Sequence, residues 1–299
     1  MSRAIAASLR PDNNCGFDIP WFSVNKLPNF ADAQPGISKS MPFWIRKDKN
    51  RGAGPDFDPA ADPYAHLKNV RLDMGGRAVL SDITLSLRED RIGIVGLNGS
   101  GKSSLVRLLN GLRQPASGTV RMFGADVTRI SKDLPRYVGF VFQNPDHQAI
   151  FPTVEEEIAF GLTQLGYEKN PARGMALAFL EEHKCAHLAQ KPFAELSEGQ
   201  KQLICILAVL VMEPRLLVLD EPMSSLDGLA ARKIMTKLGT LDQKVIMVSH
   251  DLALLTSFDR VIWMEEGRIR MDGPAKAVLK AYEDDLDRRA GTEQVEEVL

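Results

Sequence analysis

Residues 96–103 read Gly-Leu-Asn-Gly-Ser-Gly-Lys-Ser. They sit between a short apolar run at 91–95 and a stretch in which Leu105, Leu108, Leu109 and Leu112 recur at helical spacing. The order is strand, glycine-rich turn, helix, which is the context that gives G-x-x-x-x-G-K-[ST] its meaning. Glycines let successive N–H groups turn inward, and the helix start adds partial positive charge, so the turn suits phosphate oxygens. Lys102 can reach the outer phosphates of a triphosphate, and the Ser103 hydroxyl can ligate Mg²⁺. Gly96, Asn98, Gly99, Ser100, Gly101 and Ser104 are expected around the same nucleotide. The competing possibility is a turn that binds nothing.

A chain of 299 residues has ample material for a core. Lys plus Arg number 37 against 39 Asp plus Glu, a net charge of −2 that excludes a general nucleic-acid binder. The longest apolar run, 203–212, is half of a membrane span. Cys15, Cys185 and Cys205 are too few for a disulfide framework or a zinc site. A reducing, cytosolic setting is expected, with no secretory leader.

Residues 1–65 differ from the rest. They hold eight of the 17 prolines and eight of the 20 aromatics, Trp21 and Trp44 among them. Three possibilities stand: a poorly ordered extension, a start assigned too early with Met41 as a later one, or a docking arm. From 66 onward the pattern is regular. Strands are expected at 67–73 and 79–87 around Gly75-Gly76, then at 91–95, 118–123, 138–142, 216–219, 245–248, 260–264 and 268–271. The middle, about 144–212, is mostly helical. Thr153 and Glu156 have capping-box spacing, and helices are expected at 172–189 and 199–212. Further helices are expected at 230–241, 252–258 and from 274, with the charged tail after 284 fraying. Apolar strands alternating with helices imply an α/β fold whose parallel sheet is covered on both faces.

Residues 216–222, Leu-Leu-Val-Leu-Asp-Glu-Pro, form an apolar strand ending in two acids. Asp220 at that strand end would hold Mg²⁺ through water, and Glu221 could act as general base on a water. Between the two motifs lies Leu196-Ser197-Glu198-Gly199-Gln200. Here the chain resembles the ATP-binding-cassette (ABC) ATPases, whose signature is Leu-Ser-Gly-Gly-Gln. Glu198 is the one departure. The resemblance covers 66 to about 275. It implies a P-loop NTPase core with an antiparallel β-subdomain and an inserted helical subdomain, ATP and Mg²⁺ as ligands, and a cassette dimer that sandwiches two nucleotides.

By the same resemblance, Gln143 matches the loop glutamine that senses Mg²⁺ and the attacking water. His250 matches the switch histidine on the γ-phosphate, although a histidine at a strand end can be merely structural. Asp227 matches the loop that follows the acidic pair. Ser197, Gly199 and Gln200 would meet the nucleotide of the opposing subunit. Met74 stands where the family stacks an aromatic ring on adenine, so weak nucleobase discrimination is expected.

Only 95 residues (197 − 102) separate Lys102 from Ser197, too few for the long coiled coil of chromosome-maintenance ATPases. One cassette is present, not two. A transporter subunit remains. The pattern Gln143-Asn-Pro-Asp-His-Gln148 resembles energy-coupling-factor importers and the cobalt, nickel and biotin importers. Integral membrane subunits and a second cassette, a copy of this chain, are the implied partners, at the cytoplasmic face of the inner membrane. Asp146 and Glu155–Glu157 either present negative charge to such a partner or simply suit a helix start. The rival function is an ATP-driven dimerisation switch without transport. A GTPase would need Asn-Lys-x-Asp, which is absent.

Overall fold

A computed structural model describes residues 57–296. Cys15, Trp21, Met41 and Trp44, and with them the three possibilities for residues 1–56, lie outside the described residues.

The chain runs β1 (Ala65–Met74), β2 (Arg77–Leu87), β3 (Arg91–Val95), α1 (Lys102–Leu109), β4 (Ser117–Met122), β5 (Ala125–Asp126) and a single turn α2 (Val127–Ile130). It continues with β6 (Val138–Val141), α3 (Val154–Gln164), α4 (Lys169–Glu182), α5 (Glu198–Leu210), β7 (Leu216–Asp220), α6 (Gly228–Leu238), β8 (Lys244–Val248), β9 (Arg260–Glu265), β10 (Arg268–Pro274) and α7 (Ala275–Glu296).

Two sheets form. The first is antiparallel in the order β2-β1-β4-β5. Its β1–β2 hairpin turns on Gly75 and Gly76, both at positive φ, the geometry a two-residue hairpin needs. The second runs β10-β9-β3-β8-β7-β6. Its strands from β9 to β6 pair in parallel, and β10 returns antiparallel at the edge. The expected parallel sheet is therefore mixed at one end.

Period-two alternation splits the core in two. Leu216, Val218, Ile246 and Ile262 point to the side where α1 and the first sheet pack. Leu217, Leu219, Met247 and Val261 point to the side of α5, α6 and α7. Helices α3, α4 and α5 supply Ile158, Phe179 and Ile204 to that second cluster.

The order β3-β8-β7-β6 decides the site. These four parallel strands place Val95, Val248, Asp220 and Val141 at one edge, so the loops that follow share that edge.

Several local expectations are corrected. Residues 57–64, grouped by composition with the extension, pack on the first sheet. Tyr64 is buried, and Phe57 lies 5.8 Å from the ring of Phe123 and 4.6 Å from that of Tyr137. The expected capping box at Thr153 forms only in half. Thr153 Oγ1 accepts from the Glu156 N–H, but the Glu156 carboxylate takes the Thr153 hydroxyl at 2.7 Å instead of the backbone. The helix expected at 252–258 is one 3₁₀ turn, Leu252–Leu255, because β9 must begin at Arg260. Past 284, where fraying was expected, α7 continues to Glu296. Asp285 is buried and binds Arg288 and Arg289 of its own helix at 2.8 and 2.7 Å, and Arg270 of β10 at 3.0 Å, the contact that holds α7 on the sheet.

Candidate functional site

The phosphate loop leaves β3 at Val95 and enters α1 at Lys102. Gly96 has φ +146°, and a Cβ there would fall 2.2 Å from the Met264 carbonyl oxygen, so only glycine fits. Gly101 caps α1 in the left-handed region with no side-chain cap bond, which leaves the first-turn N–H groups for an anion.

Lys102 is buried. Its Nζ donates to the carbonyls of Gly96 and Leu97 at 2.8 and 3.1 Å and stands 4.0 Å from Glu221 Oε1. Burial lowers the Lys102 pKa from its ordinary value, and the charges of Glu221 and Asp220 offset part of that. Ser103 Oγ donates to Asp220 Oδ1 at 2.9 Å. Asp220 is buried, which raises its pKa, while the Ser103 bond and Arg107 pull it back down. The Arg107 guanidinium approaches Asp220 Oδ2 at 3.6 Å.

Glu221 follows β7 with φ +52°, a left-handed turn uncommon for a residue with a side chain. The turn is pinned by its N–H bonding Val248 O at 3.1 Å. Its carboxylate meets His250 Nε2 at 2.7 Å and Gln143 Nε2 at 3.2 Å. These residues line an open cleft of about 510 Å³ with Val79, Asn98, Gly99, Gly101, Ser103 and Ser104.

Of the residues lining the cleft, the sequence left only Val79 unnamed, and it also left unnamed Arg107, which does not line the cleft but pairs with Asp220. Arg107 had a signal, since it lies four residues after Ser103 on the same helix face. Val79 had none, because β2 reaches the loop only through tertiary packing. Other expected residues lie elsewhere. Gly96, the first residue of the loop, packs toward the Met264 carbonyl and does not line the cleft. Ser100 faces a second cavity, about 160 Å³, shared with Trp263 and Tyr282, and its hydroxyl has no partner among the described residues. Met74, at the end of β1, does not line the cleft.

Ser197, Gly199, Gln200 and Asp227 are also outside the cleft. Ser197 and Gln200 form a full capping box at the start of α5, and Asp227 caps α6 through the N–H groups of Leu229 and Ala230. Gly199 faces Leu226 and Ala230 across that junction.

Two of the three glutamates of α3 turn inward, while half-buried Glu156 takes the Thr153 hydroxyl. Glu155 is buried, accepts from Arg173 Nε at 2.5 Å and also binds Gln190. Glu157 is buried and accepts from the N–H groups of Ile150 and Phe151, each at 2.9 Å. Glu155 and Glu157 therefore have their partners within the fold, and of that acidic set only Asp146 is well exposed.

Residues 80–224 match the family model described as ABC transporter. The chain is 46% identical to the biotin transport ATP-binding protein BioM of Rhodobacter capsulatus over 216 residues, 72% of this chain and 92% of that protein. This chain is a member of the ABC transporter family. It is an ATP-binding subunit, an ATPase of the kind that drives these transporters. The energy-coupling factor transporter ATP-binding protein EcfA2 of Acetivibrio thermocellus is 38% identical over 232 residues, covering 74% of this chain and 80% of that one. Among solved structures, cbiO1 of Clostridium perfringens, part of the ABC transporter complex cbiONQ, superposes with a TM-score of 0.64 at 29% identity, over 78% of this chain and 96% of that one. The family's fold, a P-loop core with an antiparallel sheet beside it, is the fold described above.

Proposed function

We propose that this chain hydrolyses MgATP as the motor subunit of a membrane importer of the energy-coupling-factor and biotin type. Biotin is the first cargo to test, and a cobalt or nickel ion is the alternative. The observation that carries the reading is the meeting of Lys102, Gln143, Glu221 and His250 in one cleft under the phosphate loop. The likeness to BioM and EcfA2 supports the transporter type.

In this reading the α1 N-terminus and Lys102 take the phosphate charge. Glu221 accepts the proton of the attacking water as the bond between the γ-phosphorus and the bridging oxygen breaks, giving ADP and phosphate. Gln143 and His250 orient that carboxylate and the water. The Ser103 hydroxyl and the Asp220 carboxylate are paired hard oxygen donors. No cluster of three or more His, Cys, Asp or Glu suited to a metal occurs among the described residues. That pattern suits Mg²⁺, which takes few protein ligands beside phosphates. Ser103, Asp220 and Gln143 would hold it, and it would neutralise charge on the phosphates.

One cassette supplies only half of each site. Ser197, Gly199, Gln200 and Asp227 stand apart from their own cleft, which supports contact with the nucleotide of a second copy. The motor is then a homodimer seated on integral membrane subunits at the cytoplasmic face of the inner membrane. No helix among the described residues is long and apolar enough to cross a membrane, which fits peripheral attachment.

Co-expression with the membrane proteins encoded beside this chain, reconstitution into vesicles and uptake of labelled biotin or cobalt tests the proposal. ATP-dependent uptake that Glu221→Gln abolishes is expected. ATP turnover with neither cargo moved would overturn the importer assignment.

A further inference from the structure

The segment 142–148 carries Gln143 and the Asn-Pro-Asp-x-Gln pattern, and it is fastened along one face of α5. Lys201 Nζ lies 2.9 Å from Asp146 Oδ1 and 3.2 Å from Glu198 Oε1. One turn further on, Gln148 Nε2 donates to the Cys205 carbonyl at 3.0 Å, while Gln148 Oε1 accepts from the Phe142 N–H at 3.0 Å. The Cys205 thiol reaches the Pro145 carbonyl at 3.7 Å. Lys201 and Cys205 are four apart, so they present one face of the helix.

Lys201 is only 8% exposed, yet both of its acids are about half exposed. A buried ammonium without a partner is costly, so Lys201 must keep one of the two. Asp146 and then Glu198 hold its pKa above the ordinary lysine value. Those acids belong to different segments. Glu198 is the residue that departs from the signature of the family, and Asp146 belongs to the segment that carries Gln143.

We propose that Asp146, Lys201 and Gln148 form a positioning clamp. It fixes the first turn of α5, with Ser197 and Gly199, to the segment bearing Gln143. A displacement of that segment then moves the signature turn with it, so a subunit's own site and its contribution to the partner's site change together. None of the three touches nucleotide. The clamp rests on the reading above, in which Ser197 and Gly199 serve a second copy.

The test compares ATP turnover in the full transporter for wild type, Asp146→Asn, Lys201→Met, the double variant and Lys201→Arg. Asp146 is exposed, so Asp146→Asn folds. Each single neutralisation is expected to lower kcat about fivefold, the size a pair of this exposure supports. The KM for ATP should stay within about twofold, and the double variant should lose no more than either single. Lys201→Arg should keep turnover, because it retains the charge. Binding of a fluorescent ATP analogue to the subunit alone should not change. A wild-type kcat in Asp146→Asn, additive losses, or a rise in KM in place of a fall in kcat would overturn the clamp. Should Lys201→Met fail to fold, Asp146→Asn with Asp146→Glu as its rescue decides. A wild-type transporter without ATP turnover would instead overturn the ATPase reading itself, and the clamp with it.

Discussion

His250 Nε2 stands 2.7 Å from Glu221 Oε1, although the two residues end different strands. The contact exists because β7 and β8 are parallel neighbours, with Asp220 paired to Val248, so the residues just past each strand share one edge. Gln143 holds the other Glu221 oxygen, and Lys102 stands 4.0 Å from the first. Glu221→Gln preserves shape and removes the base. It is expected to bind ATP and to hydrolyse it at least ~100-fold more slowly, as loss of a general base implies. Single-turnover kinetics on the assembled transporter check this, and near-normal turnover would remove Glu221 from that role.

Gly96→Ala places a methyl group 2.2 Å from the Met264 carbonyl oxygen at φ +146°. Backbone must move, and the loop is the backbone concerned. The expected result is a melting temperature several degrees lower and loss of nucleotide binding, followed by thermal denaturation with and without ATP.

Glu155→Lys tests the inward role of the α3 glutamates. It puts a second cation beside Arg173 and strips Gln190 of its acceptor. A lower urea midpoint is expected, because the substitution puts an unpaired cation where a buried carboxylate stood. Unchanged stability together with a failure to bind membrane subunits would favour the partner-docking role instead.

Lys237, buried in α6, has its pKa lowered by burial to about 8. Between pH 8 and the ordinary lysine value near 10.5 the unfolded chain holds a proton that the folded chain has released. Stability contributed by this group therefore rises with pH across that window. Wild type should gain on Lys237→Met as pH goes from 7 to 9.5 in parallel denaturations. A gap that stays constant, or moves the other way, would contradict the assignment.

Met74 is 38% exposed at the hairpin tip and offers a thioether where the family offers a ring. Should that thioether take the base, as the resemblance implies, a flexible side chain would not read its edge, and GTP turnover within about tenfold of ATP turnover is expected. Parallel steady-state assays with both nucleotides measure it, and a strong preference for ATP would count against it.

Short-range chemistry makes much of this molecule legible in its sequence. The run 91–95 with the glycine turn and the leucines after it specify strand, loop and helix by local periodicity, and Asp220-Glu221 after four apolar residues marks a strand end. These signals lie within a few residues of one another, and so does the physics that produces them. Contacts between distant residues were decided by the order β3-β8-β7-β6, which depends on how two whole faces of the sheet are buried. That order brings Gln143, Glu221 and His250 together and sets Arg107 against Asp220. The inward turn of Glu155 and Glu157 and the anchoring of the tail through Asp285 have the same origin. A run of charges has no preferred direction until folding supplies a partner, and here Arg173 and Gln190 for Glu155, and Arg270 for Asp285, come from other parts of the fold.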